Sequence, residues 1–453
     1  MIKIIKDSKY IVLWIVTIFS ILFIMSLYMY NDILVTGWHG KELIDITLRG
    51  RFFNFYFDAV FRDGQTAIYP MPFYIIFAIW ELPIWILEKI TKADIYFSLP
   101  GMLYTKGILV LALYLCTTKI YEFFLLINYS EEKANNLSLI FLSSLTVFTS
   151  TCIANQYDII TVFVIICGLH AWAKNDMKKF MIIFALGITL KYFAFLYFIP
   201  LLLTLEKNPF KVAGNAILGV VPAGLLLLIP KPEANSDLVL SFFRYFFEIT
   251  KTIFGITIPL FPTMAVLSCV VAYFIKYKND EEKNKITALS LFMILGAFMV
   301  LTTGHPFWCI ITIPAFTFFL GEFNKYCNIA VLCECIMCIA TTFRHFYSFQ
   351  WMYDARQLFT MNIVPRLLNI SSISADQKYT GIGEILRNIV PDGYDFVFLY
   401  ISFGAYLLLM LLFTLDKEKN KEFKRYSIYI RAVLNICVGL LPLLCSIFML
   451  LNH

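Results

Sequence analysis

Apolar residues run along this chain in long blocks, with polar residues gathered in short stretches between them. The first block lies at 11–30, behind the basic start MIKIIKDSKY. Twelve more follow at 103–120, 137–153, 157–174, 179–191, 193–206, 211–230, 257–275, 286–303, 306–321, 327–343, 394–415 and 428–450. A helix needs about 20 apolar residues to cross the hydrocarbon layer of a bilayer, where every backbone polar group must be satisfied internally. The pattern therefore predicts an all-α polytopic membrane protein with about 13 transmembrane helices, the blocks at 179–191 and 193–206 forming a short broken or tilted pair. No small-residue cleavage site follows the first block, so it reads as a retained anchor.

One further block, PMPFYIIFAIWELPIWILEKI at 70–90, is long enough to span but carries Glu81 and Pro83 near its middle. A charge at mid-membrane costs roughly 2.5–3.5 kcal/mol on insertion scales, and an interior proline removes a helix hydrogen bond. Positive charge decides the case. With 70–90 left out and the N-terminus inside, more than half of the 37 Lys and Arg residues fall in short inner loops, including KNDMKK, YKNDEEKNK and DKEKNKEFKR. If 70–90 spans, these loops face out, against the positive-inside rule. The block is thus expected to be a re-entrant or interfacial helix on the outer side. The N-terminus is then cytoplasmic, and segments 31–102, 231–256 and 344–393 lie outside. Within 231–256, the aromatic faces of SFFRYFFEITKTIF around Arg244, Glu248 and Lys251 predict a helix lying in the interface.

Composition narrows the class. The chain has 453 residues, 60% of them hydrophobic and 15% charged, with a mean hydropathy of +0.76. A soluble globular enzyme, a disordered chain and a secreted disulfide scaffold are all excluded by that balance. The net charge of +6 acts as an orientation signal, and no soluble domain offers a nucleic-acid-binding face. Cys333, Cys335 and Cys338 sit in IAVLCECIMCIA, a spanning context that makes them core- or lipid-facing residues and not zinc ligands. No HExxH, GxSxG or phosphate-cradling glycine loop occurs, and no metal site is indicated.

Ionisable residues at the outer ends of spans are functional candidates by default. Asp32 emerges where the first span ends. Glu42 and Asp45 follow on a predicted helix, then Arg49, Gly50 and Arg51. One of these acids is suited to be a general base, and an arginine to contact phosphate. Asp158, in NQYD at 155–158, suits either a helix cap or an active-site carboxylate. Lys191, in LGITLKYFAFLYF, needs a partner or an anion unless it snorkels. His305, in TTGHPFW, is a hydrogen-bond donor to phosphate or an interfacial residue; Arg344 and His345 are weaker candidates.

The order of these features resembles the GT-C superfamily of membrane glycosyltransferases, nearest the polyprenol-phosphate-mannose-dependent type. Four stretches carry the likeness: the acid-bearing loop from Asp32 to Arg51 with its Gly–Arg turn, the proline-led YPMPFYIIFAIWELPIW, the run from NQYD through Lys191 to the Pro-Leu helix, and GHPFW. It covers residues 10–230 well and the rest loosely, so 1–230 is expected to be the catalytic module and 231–453 a variable region. The resemblance implies an inverting transfer of a sugar from a polyprenyl-phosphate donor to a glycan or lipid acceptor hydroxyl, outside a bacterial cell membrane, in cell-envelope glycan or glycolipid synthesis. It implies a base among Asp32, Asp45 and Glu42, Asp158 as second carboxylate, and Lys191, Arg49, Arg51 and His305 around the donor phosphate. Tyr69, Trp80 and Arg244 are expected to line an interfacial lipid groove. The implied transfer requires no cofactor and leaves room for a divalent metal, though none is indicated. A lipid-linked oligosaccharide polymerase and a multi-pass transporter or flippase are the rivals.

Overall fold

A computed structural model describes residues 10–62, 64–232, 244–349, 382–391, 393–394, 396–416 and 423–451. Described elements are nearly all helical, and each of the thirteen apolar blocks forms helix, the 137–153 block in two pieces broken at Ser143 and Ser144. Among the described residues, six helices are long and apolar enough to cross a membrane, or up to eight if two bent pairs each count as one span. The expected 13 crossings are thus not reached on length and composition. The reason is visible in helices such as Met177–Leu190, whose 14 residues extend only about 21 Å at 1.5 Å per residue.

The chain bends by 76° between the Ile11–Leu27 and Asn31–Leu48 helices. Tyr28 and Tyr30 adopt extended backbone there. The buried Lys106, from the Leu99–Leu126 helix, donates to the carbonyls of Met25 and Tyr28, the latter at 2.6 Å. A cation thereby satisfies the carbonyls that the bend leaves exposed. The Asn31–Leu48 helix ends at the Gly–Arg turn, where Gly50 has φ +72° and Arg51 N–H bonds back to Ile46 O at 3.0 Å. That left-handed cap favours glycine because it has no Cβ.

Met71–Thr91 is a single helix containing Pro83, and it is not among the six long apolar ones. It packs closely on Asn31–Leu48: a Cβ added at Gly40 would come within 2.6 Å of Phe77 Cβ. Its other side exposes Ile75, Ile79, Leu82, Ile86 and Ile90, an apolar stripe at helical spacing. Glu81 lies on the packed side, fully buried, and among the described residues neither oxygen has a partner at full hydrogen-bonding geometry. Burial lifts its pKa from 4.5 to about 8, against the pull of Thr105 and Lys41. The folded chain therefore holds a proton there that the unfolded chain releases. Stability should be highest below the unfolded value and fall as pH rises toward the folded one. Glu81→Gln is expected to flatten this slope in thermal melts of detergent-solubilised protein between about pH 5 and pH 8. An unchanged slope would show that Glu81 is ionised throughout.

The interfacial helix expected in 231–256 does not form over its described part. Arg244–Phe246 makes one 3-10 turn, and an antiparallel hairpin follows, Thr250–Ile253 against Ile256–Pro259. Phe254 and Gly255 both have positive φ, as a two-residue hairpin turn requires. The β-branched Thr and Ile residues on both sides favour strand over helix.

One hydrophobic core runs from Tyr10 to Leu443, so the regions 1–230 and 231–453 share it. Within it, Arg431 and Glu334 form a fully buried pair, with contacts of 2.7 and 3.1 Å, and Arg431 also donates to Ser143 Oγ at 3.0 Å. Cys338 donates to Glu334 and Cys335 to Asn435, each at 3.3 Å. Two of the three clustered cysteines thus serve this packed polar network between the Cys327–Ser348 and Arg425–Leu451 helices.

Candidate active site

The 76° bend sets Asp32 in the first turn of a new helix, where a carboxylate meets unpaired backbone N–H groups. The site grows from there. Tyr69, from the segment leading into Met71–Thr91, donates its hydroxyl to Asp32 Oδ2 at 2.9 Å. Gln156 Nε2 donates to the same oxygen at 3.0 Å. Asp32 is thus held by residues 37 and 124 positions away.

NQYD explains how Gln156 arrives there. The Phe148–Ile153 segment is a π-helical turn, a form that recurs at functional sites. Asn155 closes it with φ +47°, a left-handed conformation that asparagine tolerates. Its Nδ2 donates to Cys152 O at 2.8 Å, and its Oδ1 accepts from Tyr30 N–H at 3.0 Å. One side chain therefore ties this turn to the bend that carries Asp32. Tyr157 packs its ring edge-on against Tyr69 at 5.2 Å and accepts from Thr36 Oγ1 at 3.1 Å.

Asp158 then opens the Asp158–Ala173 helix. It is fully buried and contacts Lys191 Nζ at 2.9 Å. Apart from Lys191, no donor reaches either Asp158 oxygen at hydrogen-bonding geometry among the described residues. Lys191 stands at the end of Met177–Leu190, within 6 Å of the rings of Tyr69, Phe193 and Phe307. His305 stacks on Phe307 at 5.3 Å and meets Trp308 at 5.0 Å.

Charge binds these groups further. Burial raises the Asp32 carboxyl above the ordinary range, while Gln156, Tyr69 and the Lys191 charge pull it back and Asp158 pushes it up. Burial, then the Lys191 charge, lowers His305 to about 4. His305 is accordingly neutral at pH 7, so it can offer a hydrogen bond but no charge.

The fold brings together Asp32, Asp158, Lys191 and His305, and it adds Tyr69 to them as a partner of Asp32 in place of the expected groove position. Asp45 does not join. It lies 13 residues further along the same helix, about 20 Å away, and pairs with Lys89 at 2.9 Å. Glu42 is beside it, under the influence of Asp45, Lys41 and Arg49. Arg49 and Arg51 stand at that far helix end, with Arg51 held by Asp58 at 2.9 Å. Trp80 is fixed elsewhere, stacked on Tyr104 and donating to its carbonyl at 3.1 Å. Arg244 borders the site at one remove: its guanidinium covers Tyr245, whose ring faces His305 and Trp308. Arg344 donates to Val300 O at 3.0 Å. His345 is buried, and its ring meets Phe349, which also meets His305.

Sequence reasoning missed Gln156, Asn155 and Lys106. Lys106 carried a usable signal, a lone charge near the start of an apolar block. Lys106→Met is expected to loosen the bend, lowering the melting temperature and speeding amide exchange at Tyr28–Asp32. Unchanged exchange there would remove Lys106 from the positioning of Asp32.

No protein-family model matches the chain, and no curated protein and no solved structure shows significant similarity to it.

Proposed function

We propose that this protein is a membrane glycosyltransferase that moves a sugar from a polyprenyl-phosphate donor to an acceptor hydroxyl, with inversion at the sugar carbon. The observation that carries the proposal is the juxtaposition of an oriented carboxylate and a mostly buried lysine: Asp32 on Tyr69 and Gln156, near Lys191 on Asp158. Asp32 takes the acceptor proton as that oxygen attacks the anomeric carbon. The bond from that carbon to the phosphate oxygen breaks, and the electron pair leaves with the polyprenyl phosphate. Lys191 offsets the departing negative charge, with His305 as a neutral hydrogen-bond partner. Tyr69 and Gln156 orient Asp32, which a base on a flexible loop would lack. Phosphate leaves readily, so no general acid is needed.

In this reading the N-terminus is cytoplasmic and the Asp32 cluster faces the outside, as the charge pattern favours. The Met71–Thr91 helix lies in the outer interface with its Ile stripe toward lipid. Purified protein in liposomes, supplied with monophosphate-linked monosaccharide and analysed for product, tests the proposal. A new glycosidic bond and free polyprenyl phosphate are expected. Movement of the lipid without a new bond would make the chain a transporter. A strict need for a diphosphate-linked oligosaccharide would make it a polymerase.

A further inference from the structure

A cleft of about 420 Å³ lies between the Asn31–Leu48 helix and the last turns of Met71–Thr91. At about 3.6 residues per turn, its lining residues Trp38, Lys41 and Asp45 fall on the opposite side of their helix from Asp32 and Thr36. It is therefore separate from the candidate active site.

Three ion pairs brace the cleft: Lys41 with Glu88 at 2.7 Å, Lys89 with Asp45 at 2.9 Å, and Arg62 with Asp94. Two lining charges stand outside these pairs. Glu42 and Lys92 make no ion pair among the described residues. Lys92 also sits at φ +60°, a left-handed helix cap where glycine is the common occupant. Among the described residues, the cleft thus offers one spare cation and one spare carboxylate.

Charge and position together select the occupant. An anion alone would leave Glu42 facing it, and a cation alone would leave Lys92 facing it. A zwitterion satisfies both. Beside the cleft, on the same Met71–Thr91 helix, runs the exposed stripe of Ile75, Ile79, Leu82, Ile86 and Ile90. We propose that the cleft holds the headgroup of a zwitterionic phospholipid, with its phosphate toward Lys92, its ammonium toward Glu42, and its acyl chains along the apolar stripe. This rests on the interfacial position proposed for the Met71–Thr91 helix and not on sugar transfer.

Native mass spectrometry of the full chain, released from nanodiscs holding equal phosphatidylethanolamine and phosphatidylglycerol of the same acyl chains, tests it. The two lipids share the phosphate and differ in the ammonium. Ethanolamine lipid should be retained over glycerol lipid by about two- to fivefold, which one partly exposed charge contact supplies. Glu42→Gln should abolish the preference, and Lys92→Ala should lower retention of both lipids. Melting curves check that each variant folds. Equal retention of the two lipids by the wild type overturns the proposal, as does a wild-type pattern in both variants. Soluble glycerophosphoethanolamine that competes as well as the intact lipid would also overturn it, since the acyl chains would then contribute nothing. Sugar transfer is no part of this readout, so either idea can fail alone.

Discussion

Asp32→Asn is expected to lower sugar transfer by about 10²–10⁴-fold, the usual contribution of a general base. Asparagine keeps the shape and still accepts from Tyr69 and Gln156 through its carbonyl, so the fold and donor binding should persist. The pH profile adds an independent check. Burial holds the Asp32 carboxyl above the ordinary range. A base must be deprotonated, so the wild-type rate should fall with acidification at a pH above that of a free aspartate, and the variant's residual rate should lack that limb. Asp45→Asn is the control. Asp45 pairs with Lys89 at 2.9 Å and lies outside the cluster, so its loss should leave transfer nearly unchanged. Near-wild-type transfer by Asp32→Asn would remove Asp32 as the base. If Asp45→Asn then abolished transfer, the base would be Asp45 and the Tyr69–Gln156 geometry would have another purpose.

The second large effect concerns Lys191, and the structure changes how it must be tested. Lys191→Met alone strands Asp158, which is fully buried and has no other close donor among the described residues. Breaking a buried pair from one side typically destabilises by about 3–5 kcal/mol. A loss of function in that variant would therefore not separate folding from binding. Lys191→Met with Asp158→Asn removes both charges and should melt closer to the wild type. If Lys191 holds the donor phosphate, the double variant should bind polyprenyl-phosphate sugar roughly 10- to 100-fold more weakly, the range of a charge-assisted contact. Asp158→Asn alone leaves Lys191 free of its carboxylate and should bind donor at least as tightly as the wild type. A double variant with wild-type donor affinity would make Lys191 a structural partner of Asp158 and nothing more.

Sequence alone determined the class of this protein, because hydropathy and block length are local properties that no tertiary contact is needed to read. The membrane character, the helix after the first apolar block and the Gly50 turn that ends it all follow from neighbours within a few positions. So does the suspicion attached to Asp32, Asp158, Lys191 and His305, each a polar residue at the edge of an apolar block. Local reading failed where two local signals competed. SFFRYFFEITKTIF has aromatic residues that suit an interfacial helix, yet its β-branched end and the Phe254–Gly255 turn make a hairpin. Block length left the number of crossings open: six to eight described helices are long and apolar enough to span, and helices such as Met177–Leu190 are shorter.

Only the tertiary structure decided which acid stands at the site. Asp32 and Asp45 share one helix and look alike in sequence, but packing gives Asp32 to Tyr69 and Gln156, and Asp45 to Lys89. These partners come from 37, 124 and 44 residues away, and nothing in the spacing of a single chain specifies such pairings. Lys106 shows the same limit from the other direction. A buried lysine is costly by itself, and its reason appears only when the bend at Tyr28 places bare carbonyls within its reach.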